Sequence, residues 1–108
     1  MSHLIIDFSN VKIGFNEAIE ILNQALELTD VNILNIIKNR YSNGFSILYL
    51  LSESHASLHY WDNGNCSIDL YNCSQKNSLI NCNIFREYLF KAFGFDNCEY
   101  NLIVKRLK

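Results

Sequence analysis

A short polar run at residues 52–55 contains the residue types needed to cleave a peptide backbone. It reads Ser-Glu-Ser-His, and His59 follows it closely. The Ser54 hydroxyl can attack the Glu53 carbonyl carbon and convert the amide between them into an ester. A base such as His59 can then remove the Cα proton of Ser54, so that the ester is eliminated. Hydrolysis of the resulting dehydroalanine leaves a pyruvoyl group, an electrophilic carbonyl that can act as an electron sink.

The residues that follow extend this pattern into a longer constellation. The run from Ser52 to Cys73 reads SESHASLHYWDNGNCSIDLYNC. It resembles the prokaryotic S-adenosylmethionine decarboxylase proenzymes, whose stretch typically reads Ser-Glu-Ser-His, His-x-Trp-Pro-Glu, Gly, and Asp-[Leu/Val]-Phe-x-Cys-Gly. The residues whose spacing matches without a gap are Ser54, His59, Trp61 and Cys73. Weaker similarity covers nearly the whole chain and includes His3-Leu4 and Gly44-Phe45-Ser46.

This resemblance implies a pyruvoyl-dependent decarboxylase that is made as a proenzyme and processed by autocatalytic cleavage. Cleavage between Glu53 and Ser54 would give a β chain of residues 1–53 and an α chain of residues 54–108. The pyruvoyl group formed from Ser54 would be the cofactor, and S-adenosylmethionine the substrate. Its product would serve as the aminopropyl donor for spermidine biosynthesis. The resemblance also implies a homodimer whose active sites lie near the protomer interface.

The same resemblance implies a role for each residue of the constellation. Through its pyruvoyl carbonyl, Ser54 would form a Schiff base with the substrate amine. Cys73 matches the catalytic cysteine that protonates the substrate carbon after CO₂ is lost. His59 is the expected processing base, and Ser46 matches the second processing residue, which assists ester formation.

The residues expected to bind the substrate depart from the family pattern. Trp61 matches a residue near the adenine site, where an aromatic face suits a purine or a sulfonium, although a tryptophan here also fits a hydrophobic core. The usual Glu that binds the ribose hydroxyls is replaced by Asn63, with the acidic Asp62 one position early. Ala56 stands where a larger hydrophobic residue usually follows Ser-His. Tyr41 could offer a second aromatic face to the substrate.

Three functions therefore stay open on the sequence alone. The first is decarboxylation of S-adenosylmethionine, which the retention of Trp61 favours. The second keeps the chemistry but uses ornithine or arginine, with Asp62 holding the distal cation. The third is an uncleaved paralogue that acts as a regulatory or binding subunit. A non-catalytic protein has no need of the full processing set, which is Ser46, Glu53, Ser54, His59 and Cys73.

The bulk composition argues against other classes of protein. A chain of 108 residues with 49% hydrophobic residues predicts a single globular domain over residues 1–108. The net charge of −2, without a block of Lys or Arg, does not indicate a nucleic-acid or anionic membrane surface. No apolar run approaches the roughly 20 residues that span a bilayer, and no secretory signal is recognisable, so we expect a cytoplasmic protein. The spacing of the three His and four Cys residues predicts no metal site.

Hydrophobic periodicity predicts strands and helices in an α+β order. Helices are indicated near residues 15–26 and 84–93, the second ending at Gly94. Hairpin turns are indicated at Asn43-Gly44 and Asn63-Gly64. Strands are predicted over residues 4–8, 31–38, 45–51, 56–61, 66–71 and 100–105. We therefore expect an antiparallel β-sheet with two helices packed on one face, a two-layer sandwich that dimerises.

Overall fold

One antiparallel sheet of six strands carries both helices of the chain in a computed structural model that describes residues 1–107. The strands lie in the order β2-β3-β4-β5-β1-β6. This architecture confirms the predicted fold class. The elements are β1 (Ser2–Phe8), α1 (Phe15–Glu27), β2 (Ile33–Tyr41), β3 (Gly44–Leu51), β4 (His55–Trp61), β5 (Cys66–Asn72), α2 (Ser78–Phe93) and β6 (Cys98–Lys105), with a short 3₁₀ turn at Phe95–Asn97.

The two faces of the sheet carry different side chains because successive strand residues point to opposite sides. One face packs against both helices and forms the core. Its fully buried members include Leu4, Ile6, Ile47, Leu58 and Leu70, which meet Leu22 and Leu26 of α1 and Phe85 and Leu89 of α2. Each such buried side chain stabilises the fold by about 1.5–3 kcal/mol. The opposite face, called here the open face, is covered by neither helix.

Helix α2 begins earlier than the apolar periodicity predicts. The predicted start lies near residue 84, whereas the helix starts at Ser78. Asp30 in the α1–β2 loop stabilises the first turn of α2. Its carboxylate accepts hydrogen bonds from Asn77 Nδ2 at 3.0 Å and Asn81 Nδ2 at 2.5 Å. These bonds, led by that from Asn77, hold the pKa of the Asp30 carboxyl below its usual value. A contact between such distant positions leaves no periodic signal in the sequence.

The first hairpin turn lies one position earlier than predicted. Ser42 and Asn43 form the turn, and Gly44 is already the first residue of β3. A Cβ atom at Gly44 would lie 1.9 Å from the Tyr60 carbonyl oxygen of the neighbouring strand. Only glycine therefore allows β3 and β4 to approach so closely here.

Neither helix within residues 1–107 has the length and apolar character required to cross a bilayer.

We predict that Gly44→Ala destabilises the protein by about 3 kcal/mol, because the new methyl group must push two paired strands apart. Gly14→Ala is the matched control, since a Cβ atom there meets nothing within 4 Å. The control should change stability by less than about 1 kcal/mol. Urea denaturation of both variants measures the difference. Equal unfolding midpoints would contradict the close approach of β3 to β4.

Candidate active site

The turn between β3 and β4 holds the predicted cleavage point in a defined conformation. The Leu51 N–H donates to the Ser54 carbonyl at 3.0 Å, and the Ser52 N–H donates to the Asn32 carbonyl at 3.1 Å. The Cys73 N–H donates to Ser54 Oγ at 2.9 Å. A backbone donor aimed at this oxygen favours negative charge on it, as a nucleophile requires. The structure thus brings Ser54 and Cys73 together, although nineteen positions separate them in the chain.

A polar cleft of about 260 Å³ opens beside this turn. Glu53 and Ser54 line one side of it, and Asp30, Asn72 and Gln75 line others. The Asn72 side chain is almost completely buried, and its Nδ2 atom has no hydrogen-bond partner among the described residues. The cleft is large enough for a small ligand to reach the backbone at residues 52–54.

A second group of predicted site residues lies on the open face of β2, β3 and β4. Ser46 and His59 are direct cross-strand partners, and Ser46 Oγ lies 2.7 Å from His59 Nδ1. The Tyr41 hydroxyl lies 2.9 Å from the same serine oxygen. The His59 and Trp61 rings are stacked, with centroids 6.2 Å apart. No hydrogen bond within residues 1–107 reaches His59 Nε2, so this nitrogen is available as a base when Nδ1 carries the proton.

Within one protomer, His59 does not reach Ser54. His55 is the first residue of β4 and His59 is the fifth, and a strand rises about 3.3 Å per residue, so roughly 13 Å separates these two positions. His59 of the same chain is therefore not beside the scissile bond, and its role as the processing base stays a prediction. Closeness in sequence suggested closeness in space, but extended backbone carries the two residues apart.

The predicted substrate-binding residues have different environments. Trp61 and Asn63 line a second cavity of about 520 Å³, together with Asp7 and Glu99. Trp61 is partly exposed on the open face, so it is not a core tryptophan. Asp62 lies in the exposed β4–β5 turn, where its N–H donates to the Asn43 carbonyl at 2.8 Å.

Ala56 is fully buried on the helix side of the sheet. A substrate on the open face cannot contact this side chain, so only the backbone of Ala56 is left for the predicted role in substrate binding, which stays a prediction. Strand alternation gives the reason, because His55 and Ser57 on either side point to the open face.

One cluster on the open face was not predicted from the sequence. Asp69 Oδ2 lies 2.7 Å from His3 Nε2 and 3.3 Å from His55 Nε2, and Asp69 Oδ1 accepts from Ser57 Oγ at 2.5 Å. These residues come from three adjacent strands, β1, β4 and β5. Strand parity alone could have placed them on one face, but only the sheet order brings them together.

Two of the remaining cysteines are chemically quiet. Burial raises the pKa of the Cys66 thiol to about 12, with a further contribution from the Asp7 charge. Burial likewise raises the pKa of Cys82 to about 11. Both thiols are therefore almost entirely protonated at neutral pH, and Cys73 is the cysteine that lies beside Ser54.

We predict that iodoacetamide at pH 8 leaves Cys66 and Cys82 unmodified in the folded protein, because only the thiolate reacts and neither thiol ionises at that pH. Cys98, which is partly exposed, should be alkylated first. Peptide mass mapping before and after unfolding in urea measures the order. Rapid labelling of Cys66 in the native protein would contradict the burial described above.

Comparison with known proteins shows the family and the fold of the chain. The family model for S-adenosylmethionine decarboxylase matches residues 2–106. The S-adenosylmethionine decarboxylase proenzyme of Saccharolobus solfataricus is 29% identical over 76 residues, a match that spans 69% of this chain and 59% of that relative's length. The crystal structure of the adenosylmethionine decarboxylase from Aquifex aeolicus superposes with a TM-score of 0.82, covering 97% of this chain and 88% of that one at 16% sequence identity, and this superposition shows a shared fold. The chain belongs to the S-adenosylmethionine decarboxylase family.

Proposed function

We propose that this chain is the proenzyme of a pyruvoyl-dependent S-adenosylmethionine decarboxylase and that it cleaves itself between Glu53 and Ser54. The observation that carries the proposal is the hydrogen bond from the Cys73 N–H to Ser54 Oγ, 2.9 Å long, in a turn that borders an open cleft. It joins the expected nucleophile to the expected catalytic cysteine. The product of the enzyme would be the aminopropyl donor for spermidine biosynthesis.

Cleavage begins at the Ser54 hydroxyl. Its oxygen attacks the Glu53 carbonyl carbon, the C–N bond breaks, and the Ser54 nitrogen leaves as a free amine. The Cys73 N–H stabilises charge on the attacking oxygen. A base then takes the Ser54 Cα proton, and the Glu53 carboxylate departs from Cβ. Hydrolysis releases ammonia and leaves the pyruvoyl group at the start of residues 54–108.

After cleavage, the pyruvoyl group supplies the electron sink for loss of CO₂ from an amino acid bound at its carbonyl. The side chains of the protein would carry out the remaining steps. Cys73 lies beside Ser54 and is the proposed donor of the proton that replaces CO₂ on the substrate carbon. The cleft beside residues 52–54 gives a small substrate its access.

We propose that the base for elimination comes from a second copy of the chain. His59 and Ser46 form a hydrogen-bonded pair on the open face but lie far from Ser54 of the same protomer. A two-fold dimer joined through the open faces would bring opposite ends of the two β4 strands together. The open face also exposes Ile37, Leu48 and Leu102, which such a dimer would cover. His59 of the partner subunit would then act on Ser54.

In the proposed dimer Trp61, like His59 on the same strand, would act on a substrate held at Ser54 of the partner subunit, and its environment supports S-adenosylmethionine as that substrate. Its ring borders the cavity of about 520 Å³ and offers an aromatic face to a purine. Asp7 and Glu99 line the same cavity and suit a cation, either the sulfonium or the distal group of ornithine or arginine. Two carboxylates can bind an ammonium or guanidinium group, and Asn63 stands where the family has its ribose-binding Glu. Ornithine and arginine are therefore the second candidate substrates.

We predict that the wild-type chain separates under denaturing conditions into fragments of residues 1–53 and 54–108, because Ser54 completes the acyl shift. Ser54→Ala should remain a single chain of 12.6 kDa. Ser52→Ala is the matched control, since it removes the other hydroxyl of the run and should still be cleaved. Intact-mass spectrometry distinguishes these products. A wild-type chain that stays whole would support the uncleaved regulatory subunit instead.

We predict that His59→Ala slows cleavage by about 100-fold or more, since it removes the elimination base. Co-expression with Ser54→Ala should restore cleavage of the His59→Ala chains, because a mixed dimer holds one complete site. Co-expression with the double variant Ser54→Ala/His59→Ala should restore nothing. Mass spectrometry of the tagged chains measures the cleaved fraction. Absence of restoration in the mixed dimer would contradict a shared site.

A further inference from the structure

The cluster around Asp69 has no part in the chemistry described so far. Its carboxylate accepts hydrogen bonds from His3, His55 and Ser57, and it is surrounded by donors on both oxygens. We propose that Asp69 is a positioning residue that acts through His55 to hold Ser54 in place, before and after cleavage. This inference rests on the proposed self-cleavage at residue 54.

The link from Asp69 to the reacting residue is short. His55 is the first residue of β4 and is joined to Ser54 by a peptide bond. Its Nε2 lies 3.3 Å from Asp69 Oδ2, and its ring stacks on that of Tyr71 with centroids 5.5 Å apart and an angle of 19°. The histidine is therefore held at its tip by a charge and along its face by an aromatic ring.

Cleavage makes this anchor more important. In the intact chain, Ser54 is held from both sides, by its bond to Glu53 and by its bond to His55. After cleavage the link to Glu53 is gone, and residue 54 becomes a chain end. Ser54 Oγ leaves with Glu53, so the peptide to His55 and the Leu51 N–H, which donates to the Ser54 carbonyl at 3.0 Å, are then what fix its direction. A chain end that rotates freely would lose the alignment that proton transfer and decarboxylation require.

The Asp69 cluster has the composition of a metal site, but its hydrogen bonds indicate otherwise. The atoms of His3, His55 and Asp69 that could ligate a metal ion lie within 4.8 Å of one another. Arg106 Nη1 lies 2.9 Å from His3 Nδ1, and a guanidinium can only donate. His3 Nδ1 is therefore the acceptor, and His3 Nε2 carries the proton that it donates to Asp69. A metal ion on Nε2 would require the opposite tautomer, which the Arg106 contact opposes.

The test is a double-variant cycle on the rate of cleavage. Asp69→Asn keeps the shape of the side chain but removes its charge, and it should slow cleavage about tenfold. His55→Ala should slow it by a similar factor. The double variant should be no slower than the slower single variant, because Asp69 acts only through His55. Asp96→Asn, the same substitution at an exposed position in the 3₁₀ turn, is the control and should be cleaved at the wild-type rate.

Two further measurements separate positioning from general stability. Asp69→Glu should recover part of the lost cleavage rate because it restores the carboxylate. If Asp69→Asn folds poorly, the cleavage rate of Asp69→Glu can be measured in its place. Thermal unfolding of each variant reports stability independently of cleavage. The inference is overturned if the double variant slows cleavage by the product of the two single-variant factors, or if Asp69→Asn is cleaved at the wild-type rate. Neither result would argue against self-cleavage itself. A wild-type chain that is never cleaved would remove both proposals. Stoichiometric zinc bound by the wild type and lost in Asp69→Asn would replace the hydrogen-bond network with a metal site.

Discussion

The register between β4 and β5 is the constraint on which the candidate site depends. It pairs His55 with Tyr71 and so carries Ser54 and Cys73, which lie just outside the paired segment, into hydrogen-bond contact. The hairpin turn sets this register. Gly64 adopts a φ of +95°, a conformation that L side chains rarely adopt, and its N–H donates to the Trp61 carbonyl at 2.9 Å. A slip of one residue would exchange the two faces of β5 and separate the serine from the cysteine.

The sheet divides stability and chemistry between its faces. The helix side contains almost only apolar side chains and forms the core. The open face holds the Ser46–His59 pair, Trp61 and the Asp69 network. Groups on this face can change without disturbing the core. If Ser54 and His59 act together as proposed, their separation along β4 means that a second sheet has to bring them together.

Sequence reasoning could predict the fold because each element has a local signal. Alternation along β4 and β5, the Asn63-Gly64 turn and Gly94 at the end of α2 all depend on near neighbours. The first turn of α2 is not predicted because Asp30, which stabilises it, lies in the α1–β2 loop and is distant in sequence. The Asp69 network was missed because it requires the sheet order, which places β1 beside β5. The distance between His59 and Ser54 and the burial of Ala56 are likewise properties of the assembled sheet.

A pyruvoyl-dependent mechanism requires that Ser54 become a reactive carbonyl that accepts S-adenosylmethionine. Incubation of the purified protein with S-adenosylmethionine and sodium cyanoborohydride, followed by intact-mass spectrometry, tests it directly, with ornithine and arginine in parallel. We expect a covalent adduct with S-adenosylmethionine on the fragment of residues 54–108 and no adduct on residues 1–53. If none of the three amino acids modifies this fragment, Ser54 does not become a reactive carbonyl. An adduct with ornithine or arginine alone would show that S-adenosylmethionine is not the substrate.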